Sequence, residues 1–197
     1  LSVKEGRFGE APLPVVELKA AVAKGEAVVE SCRVLVDARN RVELKGRAGL
    51  KQPWRFDVDG VVELPELKAL NTLLAAFKAP VIESGVLNAK LDVRGDAKPW
   101  RGEGNVTLEA KAVKVAGMAE AADVALKTAF QGTTAKMESL QAVLGPWKLM
   151  TKGVVNETSA DLSELSLHQK DRQLLSGHAK AAFDLSALDV LLNAKDL

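Results

Sequence analysis

The sequence predicts a mainly β protein: one long antiparallel sheet that meanders and curls into an open, β-taco-like trough, with one or two short amphipathic helices. Apolar and polar residues alternate with period two along most of the chain, and turn residues separate these runs. Only one internal segment changes to a helical period. Runs of about 8–11 residues give roughly ten to twelve strands. Short connections favour antiparallel pairing.

Residues 1–64 are predicted to form a first strand series. Lys24-Gly25 and Arg39-Asn40 are turn signals within it. One face of the first run carries Val16, Leu18, Ala20 and Val22. One face of the last run carries Phe56, Val58, Val62 and Leu64, and the other carries Arg55, Asp57, Asp59 and Glu63.

Residues 65–79 are predicted to form an amphipathic helix. Pro65 suits the first helical position, Glu66 favours the amino end, and Pro80 closes the segment. The expected buried stripe has the spacing i, i+3, i+7 and i+10: Leu67, Leu70, Leu74 and Phe77.

Residues 80–185 are predicted to form a second strand series, in which alternation is clearest between Gly85 and Gly95. Its apolar positions include Leu87, Ala89, Leu91, Val93, Val106, Leu108, Ala110, Leu175, Ala179, Ala181, Phe183 and Leu185. Residues 186–197 are predicted to begin a second helix with Ser186 as its N-cap. The stretch from Phe183 to Leu188 repeats the pattern from Val62 to Leu67 at an offset of 121.

Three Pro-Trp-basic triplets contain every tryptophan of the chain: Pro53-Trp54-Arg55, Pro99-Trp100-Arg101 and Pro146-Trp147-Lys148. Their near-equal spacing of 46 and 47 residues suggests a chain built by repetition. Proline avoids the interior of a ladder, so the triplets are predicted to mark strand starts. Whether the triplets or the 121-residue offset define the repeat stays open.

Composition excludes several function classes. The 197 residues carry 27 basic and 26 acidic side chains, a formal net charge of +1. This balance gives no reason to expect nucleic acid or an anionic membrane surface as partner. Cys32 is the only cysteine, so an internal disulfide is impossible. No run of 18 apolar residues occurs, and the apolar pattern continues to the last residue, which suggests a piece of a longer protein.

The run from Val62 to Leu70, followed by the run from Gly85 to Gly95 and a proline-containing turn, resembles the repeats of AsmA-like proteins, especially those of the TamB family. The resemblance implies a bridge-like lipid-transfer protein of the cell envelope. It implies a periplasmic segment, anchored in the inner membrane of a diderm bacterium, that moves phospholipid to the outer membrane. It also implies neighbouring repeats of the same chain, an outer-membrane assembly partner, and no catalytic residues or cofactor.

The predicted lipid-binding groove is the apolar face of the trough. Its lining residues are Val16, Leu18, Val22, Phe56, Val58, Val62, Leu87, Leu91, Val93, Val106, Leu108, Leu175 and Phe183. Small residues interleaved with these would leave volume for acyl chains. The same alternation is also typical of an ordinary filled core, and the helix could either brace the sheet or gate the trough.

The sequence contains no pattern typical of a catalytic or metal-binding site. His168 and His178 have no partner at metal-ligand spacing, and no nucleophile motif or phosphate-binding loop occurs. We therefore expect a protein that is not an enzyme. The alternative to lipid transfer is a structural module that docks outer-membrane protein partners by strand addition at an exposed edge. Headgroup binding by Arg55, Arg101 and Lys148 is a further hypothesis.

Overall fold

The computed structural model describes residues 2–3, 7–8, 11–12, 14–75, 77–98 and 100–182. Three two-residue strands come first: β1 Ser2–Val3, β2 Arg7–Phe8 and β3 Ala11–Pro12. Eleven longer strands follow: β4 Val15–Ala23, β5 Glu26–Leu35, β6 Arg41–Gly49, β7 Arg55–Leu64, β8 Ile82–Ala97, β9 Trp100–Val115, β10 Ala122–Gln131, β11 Thr134–Leu144, β12 Trp147–Val155, β13 Ser159–Gln169 and β14 Arg172–Ala182.

The long strands form a single open sheet in which strand order equals chain order. Each strand from β4 to β14 pairs antiparallel with its neighbours in sequence, and β1 pairs with β4. The predicted meander is therefore confirmed, and the sheet is not closed into a barrel. Eleven strands at ~4.8 Å spacing make the sheet roughly 50 Å wide. A twisted open sheet of this width curls.

Two strands are much longer than the sequence suggests. β8 and β9 each span 16 residues, and β8 shifts register with β9 on both sides of Ser84. Ala112 in β9 has a φ of 50°. Such irregularities let a strand bend and continue where a regular strand would end.

The internal helix is shorter than predicted. A 3-10 turn, Leu67–Leu70, leads into the α-helix α1, Asn71–Ala75. The expectation that Phe77 extends the buried stripe is wrong, because the helix ends before it and its side chain is 64% exposed. The chain turns out of the helix at Lys78, whose φ is 53°, and Ala79 N donates to Leu74 O at 3.2 Å. The Asn71 amide then ties the helix to β8, because it donates to Ile82 O and accepts from Ile82 N, both at 2.8 Å.

Side-chain hydrogen bonds fix the start of the helical segment. Asn40 is fully buried in the β5–β6 connection, and its Oδ1 accepts from Glu66 N at 3.1 Å. Its Nδ2 donates to Asp37 Oδ2 at 2.7 Å. Leu64 and Leu67, on either side of this junction, are the buried hydrophobic residues of the described part of the chain.

The Pro-Trp-basic triplets do lie at strand starts, but they do not define one structural repeat. β7 begins at Arg55, β9 at Trp100 and β12 at Trp147. Two strands, β7 and β8, lie between the first and second triplets, and three strands, β9 to β11, lie between the second and third. The third triplet therefore lies at the opposite ends of the strands from the first two. The predicted segment 186–197, with Phe183 and Leu185, lies outside the described residues.

Candidate functional site

Strand register brings the predicted lining residues onto one side of the sheet, called here the apolar face. Directly paired residues project to the same side of a sheet. The pairs include Val62 with Ala89 and Val58 with Val93 between β7 and β8, and Leu91 with Val106 between β8 and β9. Twelve of the thirteen predicted lining residues share this face: Val16, Leu18, Val22, Phe56, Val58, Val62, Leu87, Leu91, Val93, Val106, Leu108 and Leu175. Phe183 lies outside the described residues.

The apolar face also contains residues that the sequence analysis missed. They are Cys32, Val34, Val42, Leu44, Val124, Leu126, Phe130, Leu140, Leu149, Leu162, Leu165 and Leu167. Register shifts between Val29 and Cys32 and between Leu162 and Leu165 explain part of the omission. A bulge adds a residue and reverses the alternation, so a period-two pattern is lost there. The alternation in β10 is regular up to Thr128 and could have been used.

Charge is almost absent from the apolar face. From β4 to β14 in the described residues, Arg172 at the last turn is the one charged residue in register with it. Thr151 is buried on this face, but its Oγ1 donates to Glu164 O at 2.8 Å. The backbone carbonyl of Glu164 therefore satisfies the hydroxyl donor of Thr151. Away from Arg172, an acyl chain lying along this face would meet no charged side chain of the described residues, and an unpaired charge would be costly in apolar surroundings.

No second layer of described residues seals this face. Apart from Leu64 and Leu67, its aliphatic side chains are half-buried or exposed. Exposure reaches 69% for Val22 at one end and 49% for Leu175 at the other. The helical segment covers it only locally, where Leu67 Cδ1 lies 3.0 Å from the position a Cβ of Gly85 would occupy. An ordinary filled core therefore does not describe these residues.

At the centre of the apolar face, Gly60 leaves the space that two neighbouring leucine side chains occupy. A Cβ added to Gly60 would lie 2.7 Å from Leu44 Cδ2 and 2.9 Å from Leu91 Cγ. The two leucines thus lean from the flanking strands over the glycine between them. The result is a continuous aliphatic floor across β6, β7 and β8.

The opposite face of the sheet carries a network of cross-strand ion pairs. They include Arg33–Glu43 at 3.2 Å, Arg41–Glu63 at 2.6 Å, Lys45–Asp59 at 3.6 Å, Arg47–Asp57 at 3.6 Å, Arg94–Glu103 at 2.8 Å and Lys152–Glu164 at 2.9 Å. Hydrogen bonding to Glu63 raises the pKa of Arg41, and hydrogen bonding to Lys127 lowers the pKa of Glu138. Exposed ion pairs add little stability, so this network mainly keeps one face of the sheet solvated and the strand register defined.

A cleft of about 890 Å³ opens on this charged side, not on the apolar face. Its charged lining residues are Glu26, Arg47, Arg55, Asp57, Arg94, Asp96, Arg101 and Glu103. Of the predicted lipid-lining residues, only Phe56 contributes to it. The predicted groove is consequently an open apolar surface, distinct from this cleft.

Metal chemistry finds no support in the described residues. They contain no group of three or more His, Cys, Asp or Glu side chains that could hold a metal ion. His168 pairs in register with Lys148 on the charged side, and its Nε2 is buried without a hydrogen-bond partner. Neither histidine lies on the apolar face.

No protein-family model, curated protein or solved structure matches the chain. Of the helices in the described residues, none is long and apolar enough to cross a membrane.

Proposed function

We propose that the apolar face binds the acyl chains of phospholipids and serves, without chemistry of its own, as one segment of a path between the inner and outer membranes. The observation that carries the proposal is an aliphatic face roughly 50 Å wide, which is nearly free of charge and which no second layer of the described residues covers. The resemblance to AsmA-like proteins favours a periplasmic location in an inner-membrane-anchored protein, with neighbouring repeats extending the sheet.

Physical chemistry explains why such a face would speed lipid transfer. Exposing a methylene group to water costs about 0.8 kcal/mol, so two acyl chains face a barrier on the order of 20 kcal/mol. Continuous aliphatic contact lowers that barrier along the whole route. Continuity matters more than any single contact, because one unpaired charge restores part of the cost.

Introducing a charge at the centre of the face tests the proposal. Leu91→Asp places a carboxylate beside Leu44 and Val106, and we expect a severalfold loss of co-purified phospholipid by native mass spectrometry. Lys90→Asp is the matched control, because it places the same group one residue away on the charged side. Transfer of a fluorescent phospholipid between vesicles should fall only for Leu91→Asp. A folded Leu91→Asp protein with the wild-type lipid load would refute the assignment.

The single cysteine gives a second readout that needs no substitution. Cys32 is a free thiol on the apolar face, between Leu18 of β4 and Leu44 of β6. Bound acyl chains should slow its modification by a maleimide. Equal rates with and without phospholipid, measured on protein whose lipid load is known, would contradict binding at this part of the face.

A second function is docking of an outer-membrane protein partner by strand addition. It is favoured by β14, whose residues are nearly all exposed and whose Leu174 is 43% exposed. A strand edge with free backbone groups can accept another strand. Strand addition predicts slower hydrogen exchange in β14 when the partner binds, with the lipid load unchanged. Partner binding without protection of β14 would exclude this mode.

A further inference from the structure

Exposed apolar side chains lie at both sets of strand ends, with Phe77, Val81, Leu144 and Trp147 at one and the group called here the Trp54 tip at the other. The Trp54 tip comprises the β4–β5 turn with Val22 and Lys24, residues 50–55, and residues 98 and 101 around the β8–β9 turn. Val22 is 69% exposed, Leu50 52% and Trp54 42%. Exposed apolar groups gathered at one place indicate an interaction surface more strongly than the same groups scattered.

Backbone hydrogen bonds join the three loops of the Trp54 tip into one unit. Leu50 N donates to Gly25 O at 2.8 Å, which ties the β6–β7 loop to the β4–β5 turn. Lys98 N donates to Pro53 O and Ala97 N to Trp54 O, each at 3.2 Å. The apolar side chains are therefore presented by a braced edge of the sheet.

The cations of the Trp54 tip differ from most of those on the charged side of the sheet. The side chains of Lys24, Lys51, Lys98 and Arg101 form no ion pair with any residue that the structure describes. Arg55 reaches Asp96 only at 3.7 Å, and its side chain is 84% exposed. These five cations have two carboxylates nearby, those of Glu26 and Asp96, so the local net charge is three positive charges. On the charged side of the sheet, cations are mostly paired with carboxylates across strands.

We propose that the Trp54 tip docks on an anionic lipid surface. Tryptophan is enriched at the level of lipid headgroups, where its ring is partly buried while its N–H stays hydrated. Leu50 and Val22 add apolar area at the same edge, and each nearby lysine or arginine contributes attraction to anionic headgroups. The whole-chain net charge of +1 gives no indication of this surface, because the excess is local.

Docking at the Trp54 tip would place the apolar face next to the bilayer. Val22 belongs to both surfaces, since it pairs with Ala27 on the apolar face and is the most exposed of the large apolar residues of the tip. The strands would then rise from the membrane with their ends at its surface, an orientation in which the sheet extends along that membrane. The docking therefore concerns the entry of lipid and not the route between the two membranes. The membrane docking itself goes beyond acyl-chain binding and does not depend on it.

Charge reversal at the Trp54 tip tests the electrostatic part. The full chain is floated with vesicles of equal parts phosphatidylcholine and phosphatidylglycerol, and with phosphatidylcholine alone. Reversing Lys51 and Lys98 together (K51E/K98E) should lower partition to the anionic vesicles by about 25-fold or more, because two cations are lost at roughly 5-fold each. The matched control is Lys170→Glu, an exposed lysine at the opposite strand ends. Raising salt to about 0.5 M should weaken wild-type binding.

Tryptophan fluorescence tests which end touches the lipid. Trp54 and Trp147 are exposed to nearly the same extent, 42% and 41%, at opposite ends of the strands. Variants that keep only one of the two, with the other tryptophans changed to phenylalanine, are mixed with anionic vesicles containing brominated lipid. Quenching of Trp54 and not of Trp147 supports the proposal.

Three results would overturn docking at the Trp54 tip: equal quenching at both ends, equal partition of the wild-type protein to both vesicle types, or unchanged partition of a folded K51E/K98E protein. Failure of the lipid-binding proposal is a separate outcome. In that case the Leu91→Asp protein and the wild type carry the same lipid load, while binding to anionic vesicles still depends on Lys51 and Lys98.

Discussion

At the scale of single residues, the Asp37 carboxylate organises the β5–β6 connection. Its Oδ1 accepts from the backbone N–H groups of Arg39 and Asn40, each at 2.7 Å, and its Oδ2 accepts from Asn40 Nδ2. These hydrogen bonds, first the one from the Asn40 backbone, lower the pKa of Asp37 below its ordinary value. Asn40 in turn holds the Glu66 N–H, so the start of the helical segment depends on Asp37 indirectly.

A lowered pKa makes the contribution of Asp37 depend on pH. Because the folded state holds the charged form more strongly, this stabilisation is complete above the unfolded pKa of about 3.9 and is lost as pH falls through the folded pKa. Asp37→Asn should therefore be less stable than the wild type at neutral pH, and the difference should shrink below about pH 4. Urea unfolding across that range measures it. Asp171→Asn, in the exposed β13–β14 turn, controls for loss of one negative charge. A pH-independent difference would contradict this role.

At the scale of elements, the 3-10 turn and α1 are held by a few long-range contacts. Leu67 is 6% exposed and packs near Gly85 and Val113 of the β8–β9 pair. Leu64, at the end of β7, is 5% exposed. Together they form the small buried core of the part of the chain that the structure describes.

Removing the Leu67 side chain should therefore cost more than removing other leucines. We expect Leu67→Ala to lower the free energy of unfolding by about 2–4 kcal/mol, because it opens a cavity at a buried site. Leu50→Ala, at a site 52% exposed, should change it by about 0.5 kcal/mol or less. Chemical denaturation compares the two variants, and equal losses would show that Leu67 is not the anchor of the helical segment.

The elements also show what the sequence could predict. The period-two alternation predicted the antiparallel meander because most strands have one apolar and one polar face, as in β7 and β8. It failed across bulges such as the one between Val29 and Cys32, where one extra residue reverses the pattern. The helix length was missed because apolar spacing does not reveal the turn at Lys78, where φ is 53° and Ala79 N donates to Leu74 O. Of the residues predicted to bind headgroups, Arg55 and Arg101 belong to the Trp54 tip, and Lys148 lies at the opposite strand ends. The rest of the tip was missed because it is assembled from three separate loops.

At the scale of the whole molecule, stability is expected to vary across the sheet. β8 and β9 are the longest strands, β7 ends at the buried Leu64, and β14 is exposed along almost its entire length. Few packed contacts and exposed backbone hydrogen bonds allow local opening.

Hydrogen exchange followed by mass spectrometry should reveal this gradient. Amides of β7, β8 and β9 should exchange most slowly, and those of β14 fastest among the long strands. Leu67→Ala should speed exchange in β8 and β9 more than in β12 and β13. Uniform protection from β4 to β14 would instead indicate that the sheet opens as one cooperative unit.

Strand order that follows chain order has one more consequence. Among the described residues, each strand from β5 to β13 pairs only with the strands before and after it in sequence, so assembly can start at any hairpin and extend strand by strand. Shortening the chain one hairpin at a time from its carboxyl end should leave a narrower sheet with its remaining registers intact. The width of the sheet is then set by the number of hairpins, so the sheet can lengthen or shorten without redesign of its interior.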